Sequence, residues 1–87
     1  MATPTPPEAP EYSTSDLNLA AALVTAGHGL SHLEHRGGRC LFVFQPDTGI
    51  AVTSARYYTS NLTVDARAFA DALRGLKAAL HAEPVAR

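Results

Sequence analysis

The sequence predicts an α+β domain: a helix, a two-stranded antiparallel β-hairpin, a short helix and a C-terminal helix packed on the sheet. Three observations predict it. Within Leu30 to Gln45, LSHLEHRGGRCLFVFQ, the pair Gly37-Gly38 separates two β-prone runs. Such a pair is a two-residue hairpin loop, because only glycine takes positive φ at both central positions without a steric penalty. The strand after the turn is apolar on both sides, so it expects a packed layer on each. Finally, apolar residues recur at helical spacing before the hairpin and again near the C-terminus.

The first helix is expected from about Ser15 to Ala26, with Leu17, Ala20, Ala21 and Val24 as a stripe and Leu19 and Leu23 beside it. Ser13 and Asp16 have capping-box spacing, and Gly27 sits where a left-handed C-cap belongs. Tyr12 is a short extended lead-in that can add to the hairpin edge. With Gly37-Gly38 as the loop, Arg36 faces Arg39, His35 faces Cys40, Leu33 faces Phe42 and Ser31 faces Phe44. Leu33, Cys40, Phe42 and Phe44 then share one face, and Leu41, Val43, His32 and Glu34 the other.

Pro46-Asp47-Thr48-Gly49 breaks the strand. Ile50 to Tyr58 is β-prone in composition, yet strict alternation would set Ile50, Val52, Ser54, Arg56 and Tyr58 on one side. A helix instead groups Ile50, Ser54 and Tyr57, with Asp47 or Thr48 as its cap, and helix is the favoured reading. Thr59-Ser60-Asn61 is a turn cluster. Leu62 and Val64 pin the connection to the core, and Asp65 starts the last helix. Phe69, Ala72, Leu73, Leu76 and Leu80 form its apolar stripe, expected to cover one sheet face. Gly75 inside that helix costs about 1 kcal/mol relative to alanine, which suggests the close approach of another backbone. Lys77 and His81 near its end suit the helix dipole.

The chain of 87 residues is read as one domain over residues 12–81. Residues 1–11, with four prolines and no large apolar side chain, are expected to be a disordered tail, and residues 82–87 a frayed C-terminus with Pro84 blocking further helix. A domain of about 70 residues buries only roughly 60% of its unfolded surface, so it relies on good packing, a metal, disulfides or a partner. A single cysteine excludes an internal disulfide and any zinc site with two thiolates. No basic-then-apolar leader and no run approaching 18 apolar residues is present, so a cytoplasmic location without a membrane partner is expected.

The net charge of −1 conceals an asymmetry. Residues 1–35 carry Glu8, Glu11, Asp16 and Glu34 and no lysine or arginine, whereas residues 36–77 carry six basic residues against Asp47, Asp65 and Asp71. The leading functional reading follows from that surplus. Arg36 and Arg39 at the hairpin tip, Arg56, Tyr57 and Tyr58 before the last helix, and Arg67, Arg74 and Lys77 along it form a candidate DNA- or RNA-binding set. The plainer reading has the tyrosines as core caps and the cations as solubilising groups. The alternative function is a homo- or hetero-oligomeric adaptor, with a homodimer formed through the unpaired sheet edge.

Catalysis is not expected. His28, His32, His35 and Cys40 cluster in sequence, but His28 with His32 and His35 with Cys40 fall on opposite faces, so they read as exposed histidines on an edge strand and a small core cysteine rather than as metal ligands. A Cys40–His35 nucleophile pair lacks an orienting third group and an oxyanion hole. Asp65 and Asp71 are not at facing spacing, and Arg67 and Arg74 neutralise Asp71. No glycine-rich phosphate loop opens a helix. No cofactor, metal or small-molecule substrate is expected.

The pattern Tyr12-x-Thr14-x-Asp16-Leu17-x-Leu19-Ala20, Gly27, Phe42-x-Phe44, Tyr57-Tyr58 and Phe69-x-x-Ala72-Leu73-x-x-Leu76-Lys77 resembles a small bacterial and phage domain family of unknown function. The resemblance spans residues 12 to about 81. It implies a compact α+β unit from phage and mobile-element settings, with a helix over the stretch matching Pro46–Tyr58, and it implies no activity.

Overall fold

The computed structural model describes residues 11–82. The tail expected over residues 1–11 and the frayed end expected over 82–87 lie outside the described residues, apart from Glu11 and Ala82. The elements run β1 (Tyr12–Thr14), α1 (Leu17–Thr25), β2 (Leu30–Arg36), β3 (Arg39–Phe44), α2 (Ile50–Tyr58) and α3 (Ala66–Ala82).

The hairpin forms where the glycines place it. Gly37 and Gly38 take φ of 58° and 80°, which lets Arg36 pair with Arg39 across a two-residue loop. His35 opposes Cys40 and Leu33 opposes Phe42, as the sequence predicts. The register then departs from expectation: Leu30, not Ser31, opposes Phe44, because a bulge between Leu30 and His32 leaves Ser31 without a position across the ladder.

The sheet has three strands rather than two, in the order β1-β3-β2. Tyr12, Ser13 and Thr14 pair antiparallel with Phe44, Val43 and Phe42, so the lead-in is a full partner of the central strand. Three residues are too few to announce a strand in sequence, but they cover the β3 edge that a lone hairpin would leave open.

Asp16 is the N-cap of α1, its Oδ1 accepting the Leu19 N–H at 3.1 Å, while Thr14 Oγ1 accepts the Asp16 N–H at 3.0 Å. The cap is therefore one turn later than the Ser13 box. Gly27, at φ 104°, ends the helix in a Schellman motif: its N–H reaches the Val24 carbonyl and the His28 N–H the Leu23 carbonyl, each at 3.0 Å.

Five consecutive residues of α1, Leu19 to Leu23, are buried. A helix buried on more than one side needs neighbours all round. The Phe42 and Phe44 face of the sheet, Ile50 of α2 and Leu76 of α3 supply them in one core cluster, with Tyr12, Leu30, Leu33, Phe69, Leu73 and Leu80 packed against it. The C-terminal helix thus packs on α1, not on the sheet. The other sheet face carries Ser13, His32, Glu34, Leu41 and Val43. On that face Leu41 is half-buried and Val43 is buried, at 2% exposed, although neither joins the core cluster that links the helices.

Ile50–Tyr58 is helical, with Ile50 and Ser54 buried and Tyr57 half-buried, the face that helical spacing predicts. Asp65 caps α3, its Oδ2 accepting the Ala68 N–H at 2.8 Å. A Cβ added at Gly75 would meet nothing within 4 Å, so no backbone among the described residues uses the gap. No described helix is long and apolar enough to cross a membrane.

Candidate polyanion interface

The eight predicted binding residues fall in three places, the β2–β3 tip, α2 and α3, and no hydrogen bond or ion pair among the described residues links one set to another. The structure orders them unequally. On α3, Phe69 and Leu76 turn inward, and the opposite side bears Arg67, Arg74, Lys77 and His81, all exposed. Arg67, Arg74 and His81 are spaced by two helical turns, so they line up along one side, separated by about 10 Å along the axis. Lys77 sits one turn after Arg74. Arg74, Lys77, Ala78 and His81 line an open groove. The one acid on this side is Asp71, whose Oδ1 accepts from Arg74 Nη1 at 2.9 Å. An exposed pair at that spacing is worth only a few tenths of a kcal/mol, about 0.3–0.5, so Arg74 can trade it for another anion.

His81 joins this row although the sequence reading assigned it only to the helix dipole. The signal was present: His81 lies seven residues beyond Arg74, on the same side as Arg67.

At the hairpin tip Arg36 and Arg39 are directly opposite and exposed, on the sheet face away from the core. Like charges so placed repel. Glu34, two residues back on the same face, offsets the repulsion by accepting from the Arg36 guanidinium. That hydrogen bond, with the charge of Arg36, holds the Glu34 carboxyl below the usual glutamate range.

The α2 set does not present a stacking platform. Tyr57 is packed against the core, and its ring meets that of Tyr58 edge-on, 5.1 Å between centroids and 78° between planes. Tyr58 is 61% exposed, yet its hydroxyl donates to Asp16 Oδ2 at 3.2 Å. Desolvation of that end, and then the bond to Asp16, push the phenol above its usual range. Tyr12 and Ser54 hydroxyls meet at 2.7 Å on the inner side of α2. The tyrosines therefore fasten α2 to β1 and to the start of α1, and Arg56 is the exposed cation of this trio.

One polar cluster escaped the sequence reading. His28, expected as an exposed histidine beside a strand, has a side chain only 11% exposed. Its Nδ1 meets Asp47 Oδ2 at 2.6 Å and its Nε2 meets Thr53 Oγ1 at 2.8 Å. Asp47 Oδ1 accepts the Gly49 N–H at 2.8 Å. The bond to His28, and next that to Gly49, hold the Asp47 carboxyl below the usual aspartate range. The carboxylate–imidazole–hydroxyl order resembles a hydrolytic relay, but Thr53 Oγ1 also donates to the Gly49 carbonyl at 3.2 Å, the back-bond of a structural threonine. The cluster binds the end of α1 to the start of α2, a helix whose N-cap residue, Gly49, has no side chain to do so.

His35 and Cys40 are cross-strand partners, as expected, on the face of the sheet that also carries Phe42. Among the described residues no group of three or more histidine, cysteine, aspartate or glutamate side chains is placed to hold a metal ion. No family model, curated protein or solved structure matches the chain.

Proposed function

We propose that this protein is a small non-enzymatic accessory module of the cytoplasm that binds nucleic acid along α3, with Arg67, Arg74, Lys77 and His81 as phosphate contacts. The phage or mobile-element setting implied by the sequence pattern suits such a role. The single observation that carries the reading is the cationic row opposite the Phe69 and Leu76 stripe, with one acid on its length. Arg36 and Arg39 form a second, shorter cationic point at the hairpin tip. Tyr57 is withdrawn from the contact set, because its ring is used in the core.

Phosphate contacts without base readout give salt-dependent and sequence-tolerant binding. Fluorescence anisotropy with labelled single- and double-stranded DNA and with RNA tests this between about 50 and 200 mM salt. Three fully engaged cations predict a log–log salt slope of about −2 to −3. The triple variant R67A/R74A/K77A is expected to lose most of the binding and most of the slope. Absence of binding near 50 mM salt, or binding unchanged in the triple variant, overturns the reading.

A further inference from the structure

We propose that β2 pairs with β2 of a second copy, antiparallel about Leu33, giving a homodimer with one continuous six-stranded sheet. The inference rests on the sheet edge and is independent of the α3 reading.

The order β1-β3-β2 covers both sides of β3 and, among the described residues, leaves the seven-residue β2 with one hydrogen-bonded neighbour. In a hairpin with a two-residue loop, Arg36 and Arg39 form the hydrogen-bonded pair that closes the turn. Alternation then directs the backbone groups of Glu34 and His32 to β3 and turns the Leu33 N–H and C=O outward. Leu33 is also the midpoint of β2.

Self-pairing must be self-complementary about a two-fold axis. Centred on Leu33, it sets Glu34 against His32 of the second copy and His32 against its Glu34. Both pairs lie on the outer sheet face, where His32 Nε2 and Glu34 Oε1 are already 3.7 Å apart within one chain. An imidazole N–H donates to a carboxylate in either charge state of the ring. On the inner face Leu33, half-buried at the rim of the core, would meet its own counterpart and extend the apolar layer across the axis. The neighbouring registers are poorer. Centring on Glu34 puts two carboxylates face to face, which repel. Centring on His35 sets Glu34 against Arg36 of the second copy but sets Leu33 opposite Gly37, which has no side chain to meet it, so the apolar contact across the axis is lost. The bulge at Ser31 confines regular pairing to the His32 side of the strand and leaves the Leu33-centred core intact.

Sedimentation velocity between about 10 μM and 1 mM tests the proposal, since 1 mM marks an association too weak to be specific. The wild type is expected to move from its 9.2 kDa monomer toward twice that mass. Glu34→Lys reverses both symmetry-related pairs and should raise the dimer Kd about tenfold. Adding His32→Glu to the same chain re-creates complementary pairs and should restore Kd to within about threefold of wild type. A 9.2 kDa species at every concentration overturns the dimer. A Kd indifferent to Glu34→Lys overturns the interface. Rescue by Arg36→Glu instead of His32→Glu overturns the register.

Discussion

The two ring nitrogens of His28 find partners 19 and 25 residues further along the chain. Half of that arrangement was legible beforehand. Gly27 marks the helix end, and a Schellman motif places the next residue, His28, folded back over the last turn. The partners were not legible, because Asp47 and Thr53 come within reach only once the whole hairpin has returned the chain to the end of α1. The same closure determines how Asp47 titrates. Its carboxyl is held below the ordinary value of 3.8 by the bond to His28 and then by the Gly49 N–H. A carboxyl with a depressed folded pKa contributes stability that is fully present above its unfolded pKa and is lost as pH falls through the folded one. Asp47→Asn keeps an oxygen for the Gly49 N–H and removes the charge. It should therefore lower the urea midpoint at neutral pH and narrow its difference from wild type as pH drops toward about 3. A difference between wild type and variant that stays constant from pH 7 to 3 would show that the charge of Asp47 is not what holds the clamp.

At the scale of elements, the helices were recognisable where one apolar face recurs, and the outcome for α2 shows why pattern outweighs composition. Val52, Thr53 and the two tyrosines favour strand, but Ile50, Ser54 and Tyr57 fall on one side only in a helix, and that side is the buried one. The end of α2 was less readable. Ser60 stands at φ 63° in the left-handed position, with the Asn61 N–H reaching the Arg56 carbonyl at 2.8 Å, a Schellman end like that of α1 without the glycine that would announce it. Within α3, Gly75 was read as a point of close backbone approach, and the space around it is open. An exposed glycine in a helix interior with nothing against it carries only the entropic penalty. Gly75→Ala should raise stability by about 0.5–1 kcal/mol, as a higher urea midpoint at unchanged slope. If it instead lowers stability in a concentration-dependent way, a second molecule occupies that space.

For the whole molecule, the decisive feature is which layer α3 covers. Its stripe of Phe69, Leu73, Leu76 and Leu80 shows that the helix covers something apolar, but an amphipathic stripe does not name its partner. The informative residues lay elsewhere. From Leu17 to Gly27 the chain has no charged side chain, and Ala20, Ala21 and Ala22 let neighbours approach from several directions. Such a helix belongs between layers, with the sheet on one side and α3 on another. The double-sided apolarity of β3 is met in part on its outer face, where Val43 is buried and Leu41 half-buried, but neither belongs to the core that joins the helices. These two arrangements differ in what a truncation costs. With α3 on α1, Leu76→Ala opens a cavity in the shared core and should cost about 2–4 kcal/mol. Leu41→Ala, outside that core, removes a half-covered side chain and should cost about 1 kcal/mol or less. Both are read from urea unfolding of the full chain at neutral pH. Equal losses would mean that the outer face of β3 is packed as tightly as the inner one, and the placement of α3 on α1 could then not be the principal source of the domain's stability.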